Sequence, residues 1–233
     1  LAKKYPGEPI LILTLNKPLA RLIDTLLRYA SPEDSTKYIE VMAFFELCQK
    51  LIHEFEPGSE RLYDDVTWKS DEHIDKVWRE YYRCLLNFDR ANVMLPVHDS
   101  LISQNIHAET YIREEFDWIR SAIPDTNRHG YLNLHRKGRS VPLTEPYREK
   151  LLTGLEGWEE KMTAVGIIDT LGLVSILMNY LGEIEPRYRC ILIDESQDFG
   201  NSELDIIRRL CEPADNDLFI CGDAAQQVSS RYQ

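Results

Sequence analysis

Two short runs concentrate the residue types that hydrolyse a phosphoanhydride. Ile191-Leu192-Ile193 leads into Asp194-Glu195-Ser196-Gln197-Asp198, and Leu218-Phe219-Ile220-Cys221 leads into Gly222-Asp223-Ala224-Ala225-Gln226. An apolar run that ends in acids describes a buried strand delivering carboxylates at its C-terminal edge, where open α/β sheets bind ligands. The first acid of such a pair can hold Mg²⁺ through water, since Mg²⁺ takes one or two carboxylates beside phosphate oxygens. The second can orient and deprotonate an attacking water. A glutamine amide both donates and accepts, so it can serve a γ-phosphate oxygen and a water together. A bare apolar run ending in two acids is more often an ordinary exposed strand end. The recurrence of acid and glutamine one helix and one strand later is what singles the pair out.

Both clusters reach one place only if parallel strands carry them. Ile10-Leu11-Ile12-Leu13-Thr14 follows the turn residues Pro6-Gly7-Glu8-Pro9 and reads as a further buried strand. Leu19, Leu22, Ile23, Leu26 and Leu27 have helical spacing, which predicts a helix over Lys17 to Tyr29, ended by Ser31-Pro32-Glu33-Asp34. A short strand over Tyr38 to Val41 and a helix over Phe44 to Phe55 follow. From about Glu56 to Val165 the periodicity is helical, with helices predicted over Asp71–Leu86, Leu101–Ile119 and Pro146–Thr163 and a polar stretch over Ile123–Pro142. Helices over Asp169–Tyr180 and Ser202–Leu210 then flank the run at 190–193. The alternation of strand and helix at both ends predicts an α/β fold with a parallel sheet, carrying a mostly α-helical inserted subdomain. The expected division is 1–54, first part of the sheet domain; 55–165, insertion; and 166–233, second part.

Composition sets bounds on partners. The 233 residues are 43% hydrophobic and 28% charged, enough for a sizeable core without metal or disulfide. The formal charge of 27 − 39 = −12 argues against holding nucleic acid by bulk charge, though not against a local basic groove. Five widely spaced cysteines without a CxxC pair read as reduced thiols in a cytoplasmic protein. No apolar run spans a membrane and no secretory signal opens the chain. Leu1-Ala2-Lys3-Lys4-Tyr5 reads like the end of a helix already under way, so a piece of a longer protein is expected.

The DExQD run followed by GDxxQ resembles motifs II and III of superfamily I helicases of the UvrD/Rep branch. Ile12-Leu13-Thr14-Leu15-Asn16-Lys17 resembles motif Ia, and Val41-Met42-Ala43-Phe44-Phe45-Glu46-Leu47-Cys48 resembles motif Ib. Gly166-Ile167-Ile168-Asp169 is similar to the G-x-x-D-F stretch that returns from the insertion. The resemblance touches about residues 10–52 and 166–229. It implies a RecA-like motor domain that uses ATP and Mg²⁺ and moves on single-stranded DNA, working against a second RecA-like domain of the parent chain. It further implies that Asp194 holds Mg²⁺ through water and that Glu195 is the general base. Gln226 would sense the γ-phosphate, with Asp223 beside it at the nucleotide. Gln197 and Asp198 would couple the site to neighbouring motifs, and Asn16 and Lys17 would lie near the nucleic-acid track.

The sequence also departs from that family. No GxxxxGK[ST] loop occurs in these residues, so the backbone cradle and lysine that anchor the phosphates are expected upstream of Leu1. Activity is expected of the parent and not of this piece alone. Thr14 stands where a base-stacking Phe is common, Ala43 and Phe45 replace the Thr and His of motif Ib, and Ser229 replaces a Tyr. Tyr232 offers a ring at an unmatched position. Aromatic stacking contributes roughly 1–3 kcal/mol per base, so a degenerate motor serving as a binding or regulatory module is the rival reading. Nothing in the sequence separates DNA from RNA. Arg136, Lys137 and Arg139, with Arg128 nearby, form a basic cluster that either meets duplex phosphates or stays solvated. Trp68, Trp78, Tyr81, Tyr82, Phe88, Phe116 and Trp118 read as the core of the insertion. The six histidines lack metal-ligand spacing, and Cys190, Cys211 and Cys221 read as buried small hydrophobes.

Overall fold

Four apolar segments pair into one parallel sheet. The computed structural model describes residues 1–30, 36–57, 68–87, 93–135 and 141–223. Within it, β1 (Ile10–Thr14), β2 (Ile39–Ala43), β3 (Cys190–Ile193) and β4 (Leu218–Ile220) lie in the order β2-β1-β3-β4. Ile10 pairs with Ile39 on one side and with Cys190 on the other, and Ile191 pairs with Leu218. Central β1 is buried on both faces, with Leu11 and Leu13 wholly inaccessible, which is why its sequence is a continuous apolar run. Among the described residues β4 is the last strand of the order, and Phe219 and Ile220 are 56% and 54% exposed. Cys221 at its end is exposed, which corrects the expectation of a buried thiol there; Cys190 and Cys211 are buried as expected.

Helices α1 (Lys17–Ala30) and α2 (Phe44–Phe55) flank β2 in sequence. Phe44, Leu47, Cys48, Leu51 and Ile52 form the buried stripe of α2, at the spacing an amphipathic helix requires. The same spacing in α1 buries only Ala20, and Leu22, Leu26 and Tyr29 stay exposed.

The chain divides into two compact units, one of residues 1–57 and 176–232 and one of 58–175. The sheet belongs to the first. The second contains α3 (Trp68–Asn87), α4 (Leu95–Ser103), α5 (Ala108–Ala122), a 3-10 stretch over Asp125–Asn133 and α6 (Glu145–Ala164). Helix α7 (Thr170–Asn179) crosses the division, and no strand occurs among the described residues of the second unit.

One expected helix, Leu101–Ile119, is two. Helix α4 ends at Ser103, Asn105 takes a left-handed φ of 59°, and His107 caps α5 by accepting from the Thr110 N–H at 3.4 Å. Asn tolerates that backbone and His107 offers a ring nitrogen, so a local polar break overrides an apolar period that runs on unbroken.

The second unit centres on Trp78, whose ring meets Tyr82, Phe116 and Trp158 at centroid distances of 5.8, 5.8 and 5.1 Å. Trp78, Tyr82, Phe116 and Trp118 are buried, and Tyr81 packs against the cluster. The side chains of Trp68 and Phe88 lie outside the described residues. Gly154 of α6 is required by this packing, because a Cβ there would sit 2.8 Å from Met94 Sδ and 3.0 Å from Phe116 Cζ.

A buried cation crosses the same unit. Arg120, 3% exposed, donates from both terminal nitrogens to Asp169 at 2.7 and 2.6 Å, with Glu159 at 3.3 Å and Asp117 at 3.8 Å. Burial pushes the guanidinium toward neutrality, and the three carboxylates outweigh it and hold its pKa above the ordinary value. Asp169 also accepts from the Gly172 N–H at 2.8 Å, which ties the start of α7 to α5.

Candidate functional site

The acidic run sits where β3 leaves the sheet. Asp194 N–H donates to the Leu13 carbonyl at 3.0 Å, so the first acid stands at the edge shared with β1. Its Oδ1 accepts from the Glu195 N–H at 3.0 Å, and its other oxygen has no hydrogen-bond partner among the described residues. Glu195 takes a left-handed backbone, φ 57° and ψ 40°. For a residue with a Cβ that conformation costs about 1–3 kcal/mol, and it persists only where the surroundings enforce it. Here they do. The next N–H, of Ser196, donates to the Cys221 carbonyl at the end of β4 at 2.9 Å, and a 3-10 turn over Ser196–Asp198 follows.

Gln197 joins the two clusters. Its Nε2 donates to Glu195 Oε2 at 2.5 Å, and its Oε1 accepts from the Asp223 N–H at 3.0 Å. Gly222 makes the approach possible: a Cβ there would overlap Ser196 Oγ and stand 2.6 Å from Gln197 Oε1. Asp198 keeps one carboxylate oxygen buried without a partner among the described residues. Phe199, just beyond, packs edge-on against Phe44 at 5.2 Å and fixes the turn against the start of α2.

Asn16 and Lys17 lie at the same sheet edge, after β1, and both have internal partners. Asn16 Oδ1 accepts from the Leu19 N–H at 3.2 Å and caps α1, while its own N–H donates to Thr14 Oγ1 at 3.2 Å. Lys17 Nζ lies 2.8 Å from Glu46 Oε1, and Glu46 Oε2 accepts from the Ala43 N–H at 3.2 Å. Burial pushes the Glu46 carboxyl up, but Lys17, the Ala43 N–H and Arg21 outweigh it and hold it below the ordinary glutamate range. Thr14 is wholly buried. Gln226, Arg136, Lys137 and Arg139 lie outside the described residues, as do Ser229 and Tyr232.

The family model of the UvrD/REP helicase N-terminal domain matches residues 1–230. The chain belongs to the UvrD/REP helicase family. No curated protein matches it. The helicase domain thus places Asp194-Glu195 and Gly222-Asp223 just after neighbouring parallel strands, which sequence order alone left open. The Lys17–Glu46 pair, Gly222 and Phe199 were not singled out as working parts of the site from sequence. Glu46 stands three residues after Ala43, the spacing of a capping box, but Ala43 supplies no side-chain acceptor and so hides that signal. No group of three or more His, Cys, Asp or Glu side chains suited to a metal forms among the described residues. The free Asp194 oxygen still fits Mg²⁺, which takes a single carboxylate when phosphate oxygens and water fill the remaining positions.

Proposed function

We propose that this domain is the first motor domain of an ATP-dependent DNA helicase or translocase, coupling Mg-ATP hydrolysis to movement on single-stranded DNA. One observation carries the reading: Asp194, Glu195 and Asp223 stand at one sheet edge, with Asp194 accepting from the Glu195 N–H and Gln197 linking Glu195 to Asp223. Asp194 holds Mg²⁺ through water, Glu195 accepts the proton of the attacking water, and Asp223 and Gln226 face the nucleotide. Mg-ATP supplies the phosphoanhydride and the charge that neutralises its leaving group. Asn16 and Lys17 border the nucleic-acid track, and Arg136, Lys137 and Arg139 meet backbone phosphates. The site is completed by a phosphate-binding loop and by a second RecA-like domain elsewhere in the parent chain, so residues 1–233 alone are expected to turn over negligibly.

No helix among the described residues is long and apolar enough to cross a membrane. The five cysteines are free, which fits a reducing, cytoplasmic setting. The test is hydrolysis by the full-length protein with Mg²⁺, with and without single strands. Stimulated turnover that falls roughly 100-fold or more in Glu195→Gln supports the reading, a general base being worth about 10²–10⁴-fold. Turnover unchanged in that variant sinks it.

A second reading has its own observation. Asn16 is spent on capping α1, Lys17 is paired with Glu46, and Thr14 is buried. These positions hold structure together where a motor would grip a strand, as a degenerate motor acting as a binding or regulatory module would require. An RNA-directed motor fits the same residues. Competition between DNA and RNA single strands for the full-length protein separates that case, and absence of any strand-stimulated turnover favours the module.

A further inference from the structure

We infer that a cleft at the opposite end of the sheet from Asp194 takes a nucleotide unit, a base with its phosphate, either within a single strand or free in solution. The strands are parallel, so the acidic run after β3 stands at one end and the first residues of β1 and β2 stand at the other. There Ile10 and Ile39, paired in register, line a cleft of about 470 Å³ together with residues of the turn over 2–8 and with Lys37 and Tyr38. That volume falls within the range of small-ligand sites, about 300–1,000 Å³. The cleft shares no residue with the strand-end acids or with Asn16 and Lys17.

Its two walls carry the same chemistry. Tyr5 follows Lys3-Lys4 on one, and Tyr38 follows Lys37 on the other. Tyr5 is a braced ring: its hydroxyl donates to the Asp215 carbonyl at 3.4 Å, and the Arg189 guanidinium lies 3.9 Å from its centroid. Tyr38 is 45% exposed, with Lys37 Nζ 5.6 Å from its centroid, so ring and cation are presented together. The Ile10 N–H donates to the Tyr38 carbonyl and the Arg189 N–H to the Pro9 carbonyl, both at 2.8 Å, which ties the walls to the sheet. Rings held on fixed backbone lose little freedom when a base stacks on them.

Charge supplies the other half of the match. Lys3 and Lys37 have no ion-pair partner among the described residues, and Glu8 in the same lining faces Arg189 Nε at 3.7 Å. The cleft therefore holds a local positive excess on a chain of formal charge −12. Inorganic phosphate would use only the lysines, and a neutral aromatic only the rings. A nucleotide uses both, because every base offers a π-face to an aromatic ring and its phosphate offers oxygens to an ammonium.

The experiment uses the full-length protein and two probes that carry the same photoreactive base: a single-stranded oligodeoxynucleotide containing 5-iododeoxyuridine, and 5-iododeoxyuridine monophosphate alone. After irradiation, peptide mapping is expected to find adducts at Tyr5 or Tyr38. Adducts with both probes identify a free nucleotide as sufficient, and adducts with the oligonucleotide alone identify the strand as the source. In Tyr38→Ala the probe concentration that half-saturates the Tyr5 adduct should rise roughly 5- to 100-fold, and Tyr38→Phe, which keeps the ring, should stay near wild type. Lys3→Ala and Lys37→Ala should each flatten the dependence of log affinity on log salt by about 0.7 for the oligonucleotide at this site. Absence of adducts at both tyrosines with both probes overturns the proposal. So does half-saturation within 2-fold of wild type in Tyr38→Ala and in both lysine variants. The adducts are expected in Glu195→Gln as in wild type, so failure of the hydrolysis reading and failure of this cleft are told apart.

Discussion

The sheet unit and the helical unit use charge in opposite ways. At the sheet edge, carboxylates are left partly open: one oxygen of Asp194 and one of Glu195 have no hydrogen-bond partner among the described residues, and the backbone is bent into a left-handed turn to present them. In the helical unit Arg120 is sealed and surrounded by Asp117, Glu159 and Asp169. A sealed pair stabilises only as a whole, since removing one partner strands a buried charge. An open carboxylate contributes little to folding and is available for chemistry. The contrast separates residues that hold the domain together from residues that the domain holds in place.

That contrast can be broken or sharpened by variants on each side. Arg120→Met should have the largest effect, destabilising by about 3–5 kcal/mol through the carboxylates left behind. Chemical unfolding measures it, and a loss below about 1 kcal/mol would mean that the cluster is wetter than it stands here. Gly154→Val, which forces a side chain onto Met94 and Phe116, should cost about 1–3 kcal/mol in the same assay. Gly222→Ala makes the opposite demand. Its midpoint of unfolding should shift less than that of Gly154→Val, while turnover of the full-length protein falls roughly 10-fold. A stability loss equal to that of Gly154→Val would erase the distinction between the two units.

The smallest expected effect is at the Lys17–Glu46 pair, partly exposed and worth about 0.2–1 kcal/mol. Glu46 is depressed when folded, so its contribution is complete above the ordinary glutamate range and is lost as pH falls through the folded value. Glu46→Gln should therefore remove part of the acid sensitivity seen in wild type below that range, with little change above it beyond the loss of the pair. Acid unfolding profiles of the two proteins test this. Identical slopes would mean that the pair is too well solvated to register.

How much of this was legible in the sequence differs by element. The strand over 10–14 and the helix over 44–55 occupy the predicted positions, because continuous apolar runs and a repeated apolar stripe are local signals. The break at Asn105 was not visible: its left-handed residue and its His107 cap interrupt a period that the apolar residues continue through. Helix α1 shows a second limit. Its stripe predicted a helix correctly, but spacing alone does not say what covers the stripe, and Leu22 and Leu26 remain exposed.

By itself the sequence determined the residue types at the two strand ends, their order and the helicase family they belong to, since motif chemistry is written in adjacent residues. Only the tertiary structure decided that Gln197 bridges Glu195 to Asp223, that Lys17 is held by Glu46, and that Asp169 is the partner of Arg120. The reason is physical. Each of these links depends on how separate elements pack, and direction and distance between elements are set by the core rather than by any neighbouring residue in the chain.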